Sequence, residues 1–252
     1  MGIVNVTSDS FSDGGRYIEP DMAVAHAGTL LAQGATIVDV GGESTRPFAD
    51  PVPQEEELGR VLPVVARVAA QFPDAVISVD TYKAGVADRC LRAGAHIVND
   101  VSACSFEPEL LDVLVTHKPG YVLMHSLGRP KTMQTDPRYD DVLGEITRFF
   151  HERMATLVRA GLPEDHIALD PGLGFGKTRE HNMAILRGLR RFQELGRPIL
   201  VGLSRKSFLS AFEQDSAMQV ATAIAYQHGA GIHRVHAVKE AAQALTLAEA
   251  LT

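Results

Sequence analysis

The feature that most constrains this chain is an alternation. Short apolar runs rich in β-branched residues recur along it, each followed by a polar residue and then by a longer stretch with helical spacing. Strand-like runs cover residues 1–6, 36–40, 76–79, 95–98, 121–124, 167–169, 199–201 and 232–235. Helical patterns cover 21–33, 54–70, 83–93, 107–116, 141–160, 180–195, 217–228 and 238–251. Leu30 and Leu31 mark the apolar face of the first helix and Gly34 stops it. Acids open the second helix, and Pro63 predicts a kink in it. Strands alternating with helices imply a parallel sheet, either a closed barrel or an open doubly wound sheet. Eight such units in 252 residues favour the (β/α)8 TIM barrel. No break in composition marks a linker, so residues 1–252 read as a single domain. The strands are apolar nearly throughout, as expected of strands covered on both faces.

The chemistry of such a barrel sits at the carboxyl ends of its strands. Here those ends are Asn5, Asp39, Asp80, Asn99, His125, Asp170, Ser204 and His236. A strand end could as well be Gly, Thr or Lys, so this series predicts a ring of donors and acceptors around one ligand. Asp80, Asn99 and Asp170 are rich in acceptors and suit a heterocycle edge carrying several N–H donors. Arg46, Lys206, Arg234 and His236 suit a phosphate-type anion. Arg234 and His236 are two apart and are expected on one strand face; Ser204 and Lys206 share that spacing. Asp39, flanked by Val38 and Val40, reads as a buried structural acid outside the site. His125 is either a core histidine or a ligand contact. His233, on the face opposite His236, reads as structural, and Lys177 as the cap of a solvated loop.

The stretch at 169–177, LDPGLGFGK, carries the sharpest local signal. Pro171 stops the strand after Asp170, and Gly172, Gly174 and Gly176 lay bare backbone beside that carboxylate. Glycine permits close approach of backbone to a ligand, and Phe175 is placed to stack on a flat ring. Two nucleotide motifs fail here. A phosphate-binding P-loop needs glycine where Pro171 stands, and the dinucleotide fingerprint G-x-G-x-x-G is not matched by G-x-G-x-G. The plain alternative is a glycine-rich turn between strand and helix.

Charge narrows the partners. The net charge is −7, and no run of like charge exceeds residues 55–57, which argues against a nucleic-acid face. No apolar run reaches the length of a membrane span. The opening MGIVNVTSDS lacks the basic region of a signal peptide. Cys90 and Cys104 have no metal-ligand spacing and make a weak disulfide case. A reducing compartment, most simply the cytoplasm, is expected.

Several segments together resemble one family. MGIVNVTSDSFSDGGR at 1–16, DVGGESTRP at 39–47, SVDT at 78–81, Asn99 and Asp100, the 169–177 stretch, GLSRK at 202–206 and RVH at 234–236 are similar, in order, to the motifs of dihydropteroate synthases. The resemblance covers the whole chain. It implies a (β/α)8 barrel, usually a homodimer, that joins a 7,8-dihydropterin-6-ylmethyl diphosphate to 4-aminobenzoate and releases diphosphate. The step belongs to folate synthesis, and sulfonamides compete with the aminobenzoate. Carried over by position, Asp80, Asn99, Met124, Asp170, Phe175, Gly202 and Lys206 are pterin contacts. Asn5, Thr45, Arg234 and His236 resemble the diphosphate site, with Asn5 meeting Mg²⁺ through the diphosphate. Phe11, Thr45, Arg46, Pro47, Phe175, Ser204 and Lys206 resemble the aminobenzoate side. Asp80, Asp170, Lys206, Arg234 and His236 are the groups expected to carry catalysis. The chain departs from the family pattern in starting inside the first strand, in Ser126 and Leu127 after the fifth strand, and in Ala237, which follows His236 where the family often has Asp.

The chemistry expected is electrostatic. Diphosphate leaves with its charge held by Mg²⁺ and the basic residues, Asp80 stabilises the cationic pterin methylene, and the neutral amine attacks. The loops at 7–16 and 41–53 are expected to be mobile and to close over the site. Two rivals stand beside this reading: a pterin-binding methyltransferase using a corrinoid partner, and a non-catalytic member of the family.

Overall fold

The computed structural model describes residues 1–6 and 20–251; Phe11 and the loop expected at 7–16 lie outside the described residues. Eight strands form one parallel sheet in sequence order. They are β1 (Gly2–Asn5), β2 (Ile37–Gly41), β3 (Val76–Asp80), β4 (Ile97–Asp100), β5 (Gly120–Met124), β6 (Ile167–Asp170), β7 (Ile199–Gly202) and β8 (Ala230–Arg234). The sheet closes on itself. Gly2 and Val235 form a parallel bridge, Ile3 N–H donates to Val235 O at 3.1 Å, and Val235 N–H donates to Met1 O at 3.0 Å. The helices are α1 (Pro20–Ala32), α2 (Gln54–Gln71), α3 (Ala84–Arg92), α4 (Leu110–His117), α5 (Val142–Ala160), α6 (Arg179–Arg187), α7 (Gln214–Gln227) and α8 (Val238–Ala250). The TIM barrel expected from the alternation is the fold observed.

Helical spacing explains how the outer layer seats. On α2, Val61, Val64, Val65 and Val68 are fully buried. Their i, i+3, i+4, i+7 pattern makes one apolar stripe facing the strands, and each buried valine contributes roughly 1.5–3 kcal/mol. Asp141 caps α5 by accepting Gly144 N–H at 3.0 Å, and Gly161, at φ 113°, ends it. Thr178 and His181 form a reciprocal cap at the start of α6. That cap fixes how the chain leaves the glycine loop after β6.

Two local expectations change. The helix expected at 180–195 stops at Gly188 and continues as a 3-10 turn, Leu189–Leu195. A Cβ at Gly188 would meet the terminal methyls of Leu143 on α5, which would have to swing aside, so the chain packs closely on α5 where the helix breaks. The helix expected from 107 begins at Leu110, after Pro108. Pro63 lies inside α2 without ending it.

Candidate active site

The strand ends converge as their spacing predicts, and their charges are paired across the barrel. Arg234, at the end of β8, donates from Nε to Asp39 Oδ2 and from Nη2 to Asp80 Oδ2, each at 2.6 Å. Asp39 also accepts Asn99 Nδ2–H at 3.1 Å. One fully buried acid on β2 therefore orients an arginine from β8 and an amide from β4. The reading of Asp39 as buried was right, but leaving it outside the site was not. A lone carboxylate in a barrel interior needs partners, and its partners are two of the expected site residues. Burial works against the Arg234 charge, yet the two carboxylates outweigh it and hold the guanidinium proton more tightly than usual. Burial pushes Asp80 up to about 7; Arg234 opposes the rise, and Asp39, Glu57 and Asp100 add to it.

Asp170, at the end of β6, spends one oxygen on its own loop, accepting Gly172 N–H at 2.7 Å from Oδ1. Burial raises its pKa, opposed by that hydrogen bond and by the charges of Lys206, Lys177 and Arg234. Gly172 has φ 67°, and a side chain there would collide with His125 O, so the tight turn over Asp170 excludes other residues. The loop is pinned from several sides. Gly174 N–H donates to Asn182 Oδ1 at 2.7 Å, Gln134 Nε2 donates to Gly174 O at 2.8 Å, and Tyr139 Oη donates to Gly176 O at 2.9 Å.

Lys177 overturns its sequence reading. It caps no solvated loop; its side chain is buried under this one. Nζ lies 3.0 Å from His125 Nδ1, and donates to His125 O at 3.2 Å and to Phe175 O at 3.0 Å. It thus fastens the end of β5 to the loop after β6. Burial lowers its pKa to about 7, against the pull of Asp170. Burial and the Lys177 charge lower His125 to about 3, so His125 is a neutral, hydrogen-bonded core histidine. His233 is also buried and structural, with Nε2 3.3 Å from Ala230 O.

Two apolar residues expected beside a flat ligand, Met124 and Phe175, come together. Met124, Tyr82 and Val101 form a small buried cluster apart from the main core, with Phe175 and Phe106 packed on it. Lys206 Nζ stands 4.5 Å from the centre of the Phe175 ring, a cation–π contact. Burial lowers Lys206 to about 8, with Asp170 opposing. At Gly202 a side chain would point into open space, with no atom within 4 Å. Bare backbone thus borders open volume at the end of β7.

Ser204 and Lys206 do not share a face, contrary to their spacing. β7 has ended by Gly202, and Arg205 takes a left-handed conformation at φ 57°. The turn sends Ser204 toward His236 and Lys206 toward Phe175. Similarly, β8 ends at Arg234, and His236 lies in the bend that follows. His236 Nδ1 is 2.9 Å from Ser204 Oγ, and Nε2 is 3.5 Å from Asn5 Nδ2. In the tautomer that carries its proton on Nδ1, Nε2 accepts from the Asn5 amide and Nδ1–H donates to Ser204 Oγ, whose own hydrogen is then free to point away. Burial and the charges of Arg205, Arg234, Arg46 and His26 lower His236 to about 4. That crowd of cations marks an anion-attracting corner on a chain with a net charge of −7. Thr45, Arg46 and Pro47 sit on the segment between β2 and α2, half-buried or exposed.

The family model for pterin binding enzymes matches residues 1–236. The dihydropteroate synthase of Escherichia coli (strain K12) is 46% identical over 256 residues, covering 99% of this chain and 90% of the relative. This chain belongs to the dihydropteroate synthases. Among solved structures, the Yersinia pestis dihydropteroate synthase in a sulfonamide drug complex is 43% identical with a TM-score of 0.93, covering 99% of this chain and 92% of that one. The Xanthomonas albilineans dihydropteroate synthase in complex with 7,8-dihydropteroate is 41% identical with a TM-score of 0.89, again over 99% and 92%. The family resemblance read from the motifs therefore holds over the full length. Ala237, the departure from the family's RVHD, stands at the N-cap of α8, and no side-chain cap is made there. An acid would cap that helix, so the substitution costs roughly 0.5–2 kcal/mol of helix stability and leaves the hydrogen bonds of His236 in place.

Proposed function

We propose that this chain condenses 7,8-dihydropterin-6-ylmethyl diphosphate with 4-aminobenzoate, releasing diphosphate, as a dihydropteroate synthase of folate biosynthesis. The carrying observation is the juxtaposition of an acid-lined pocket with a cationic corner on one barrel mouth. Asp80, Asn99 and Asp170 offer acceptors to the donor edge of a pterin. Met124 and Phe175 pack on its ring, and Gly202 leaves it room. Arg234, Lys206 and neutral His236 face the diphosphate, and the donors of Arg234 not used by Asp39 and Asp80 can reach its oxygens. As the C–O bond breaks, charge moves from the pterin methylene to the diphosphate. Asp80 stabilises the positive end, while Arg234 and Lys206 stabilise the negative end. Ser204 offers its hydroxyl to the carboxylate of aminobenzoate, with Lys206, Phe175, Thr45, Arg46 and Pro47 around it. Sulfonamides would occupy the same place.

Mg²⁺ fits this donor set on one condition. Among the described residues, no group of three or more His, Cys, Asp or Glu could hold a metal alone. Mg²⁺ keeps several waters and is commonly held by one or two protein oxygens together with substrate phosphates. The Asn5 amide turns Nδ2 toward His236, which leaves its carbonyl oxygen as one such ligand. The ion would supply charge neutralisation for the leaving diphosphate. We further place the enzyme in the cytoplasm as a homodimer. Val220 and Ile224, one turn apart on α7, are 60% and 43% exposed, and Leu247 and Leu251 at the end of the chain are 61% and 75% exposed. Exposed apolar side chains on two neighbouring helices suit a self-complementary contact, and sedimentation equilibrium at a single-copy mass would remove it. Among the described residues, no helix is long and apolar enough to cross a membrane.

The deciding experiment is diphosphate release from the pterin diphosphate, followed with and without 4-aminobenzoate and with and without Mg²⁺. Release that depends on both is expected. Pterin binding without aminobenzoate-dependent release would return the chain to the non-catalytic reading.

A further inference from the structure

The segment 42–53 is not a free flap. Glu43, at its start, gathers three donors on one oxygen: Val52 N–H at 2.8 Å, Lys83 Nζ at 2.6 Å and Tyr82 Oη at 3.4 Å. Val52 lies nine residues further on, so the first of these bonds closes the neck of the loop. Lys83 also bonds Glu57 of α2, and the pair is almost fully buried. Arg60 of α2 donates to Gly42 O at 2.7 Å, fixing the chain where it enters the neck. At the far end Phe48 N–H donates to Pro130 O at 3.0 Å. Phe48 itself sits at φ 66° with 68% of its surface exposed. A bulky residue disfavours that conformation, so the bend beside Pro47 is imposed by its surroundings. The only buried side-chain anchor described within the loop is Glu43, whose side chain is 7% exposed.

We propose that Glu43 is a positioning residue for the 4-aminobenzoate side of the site. Its clasp on Lys83 and Val52 sets where Thr45, Arg46 and Pro47 stand relative to the Phe175–Lys206 wall. Glu43 touches no substrate; it acts through those three residues, and the inference rests on their assignment to aminobenzoate. Lys83 is a suitable partner because it stands on the neighbouring β3–α3 unit, immediately after the strand that presents Asp80. The loop is thereby registered to the strand that carries the chemistry. Aminobenzoate is small, so its affinity depends on a few contacts placed in advance.

The alternative is that Glu43 merely stabilises the fold, and Glu57 separates the two. Glu57→Gln weakens the same buried cluster without touching the loop neck. Glu43→Ala should raise the KM for 4-aminobenzoate roughly tenfold, as misplaced contacts do, with the KM for pterin diphosphate changed less than about twofold. Glu43→Gln, which keeps an acceptor for Val52 and Lys83, should restore most of the loss. Glu57→Gln should lower the melting temperature yet leave both KM values near wild type. Equal rises in both KM values for Glu43→Ala and Glu57→Gln would overturn the proposal. If Glu43→Ala does not fold, amide hydrogen exchange at residues 44–51 in Glu43→Asp, which keeps a charge for Lys83 but is one methylene short of the Val52 N–H, decides instead. Faster exchange there than in Glu57→Gln is expected, and no difference rejects the clasp. Arg46→Ala tests the underlying assignment separately. An unchanged aminobenzoate KM in that variant would remove the loop from the substrate site, whatever the clasp does.

Discussion

Two clusters in this barrel share a plan, one cation held between two carboxylates, and differ in what surrounds them. Inside the barrel, Arg234 bridges Asp39 and Asp80. Outside it, Lys83 bridges Glu43 and Glu57. The inner cation is a planar fork on a strand, bonding each acid through a different nitrogen, and 21% of its side chain faces the mouth. The outer cation is a compact ammonium, 9% exposed, converging with a backbone N–H and a phenol on a single oxygen of Glu43. Arginine keeps donors in reserve for a ligand, whereas the lysine is closed off by its partners. Burial raises Glu57, with Lys83 pulling it down, and Lys83 in turn is held above its usual range by Glu43 and Glu57 against burial. The same arrangement keeps donors free where it opens to solvent and is closed off where it does not.

The sharpest way to break this parallel is to remove the outer cation. Lys83→Met would leave Glu43 and Glu57 facing each other, nearly buried, with no counter-charge. Breaking a buried pair by deleting one partner typically costs about 3–5 kcal/mol, so the urea midpoint should fall by a large fraction of the total. A midpoint equal to wild type would mean that water already screens the cluster, and its architectural role would go.

Next in size is the inner acid. Asp80→Asn keeps an oxygen for Arg234 Nη2 and leaves Asp39 in place, so folding should survive. If Asp80 stabilises a developing cation, kcat should fall on the order of a hundredfold, with the KM for pterin diphosphate changed much less. Steady-state kinetics with pterin diphosphate in excess measures this. Loss of affinity and turnover in proportion would make Asp80 a binding group only.

The inner cluster was legible in the sequence except for the part played by Asp39, and the outer one was not. Asp80, Asp170 and Arg234 sit at strand ends in a β/α alternation, and an apolar strand ending in a charge announces itself. Glu43, Glu57 and Lys83 each look like ordinary surface residues of a loop, a helix start and a turn. Their meeting depends on how α2 and α3 pack, over separations of 26 and 40 residues. Lys177 was missed for a related reason. A lysine in a glycine-rich stretch reads as solvated unless the turn that buries it is known. Ser204 and Lys206 were placed on one face because two-residue spacing was carried beyond the end of β7, where Arg205 reverses the chain. Strand periodicity is informative only while the strand lasts.

The smallest effect expected is in the pH dependence of stability, and it separates the two clusters by range. Asp80 has a folded pKa of about 7, above its ordinary value of 3.8. Between those values the native state holds a proton that the unfolded chain has lost, so this group's contribution declines as pH rises from about 4 through 7. Three histidines, two buried and one half-buried, act in the opposite sense. His125 is lowered to about 3, and His233 and His236 to about 4. Below about 6.5 the unfolded chain takes up protons that these residues refuse, so their contribution rises with pH over the same interval. The wild-type curve is the sum of these opposing contributions, and subtraction is needed to expose Asp80. The stability difference between wild type and Asp80→Asn should drift by on the order of 1–3 kcal/mol between pH 4 and pH 7, the variant gaining relative to wild type as pH rises. Lys83 lies in another range. Its folded pKa is raised above 10.5, so its contribution is complete below that value and is lost as pH climbs through the folded value. Lys83→Met should remove that alkaline loss and leave the drift assigned to Asp80 intact. Urea midpoints from pH 4 to pH 11 for the three proteins test both statements. A constant difference between wild type and Asp80→Asn would mean that Arg234 keeps Asp80 ionised throughout. The inner cluster would then be as closed as the outer one, and the contrast between them would rest on geometry alone.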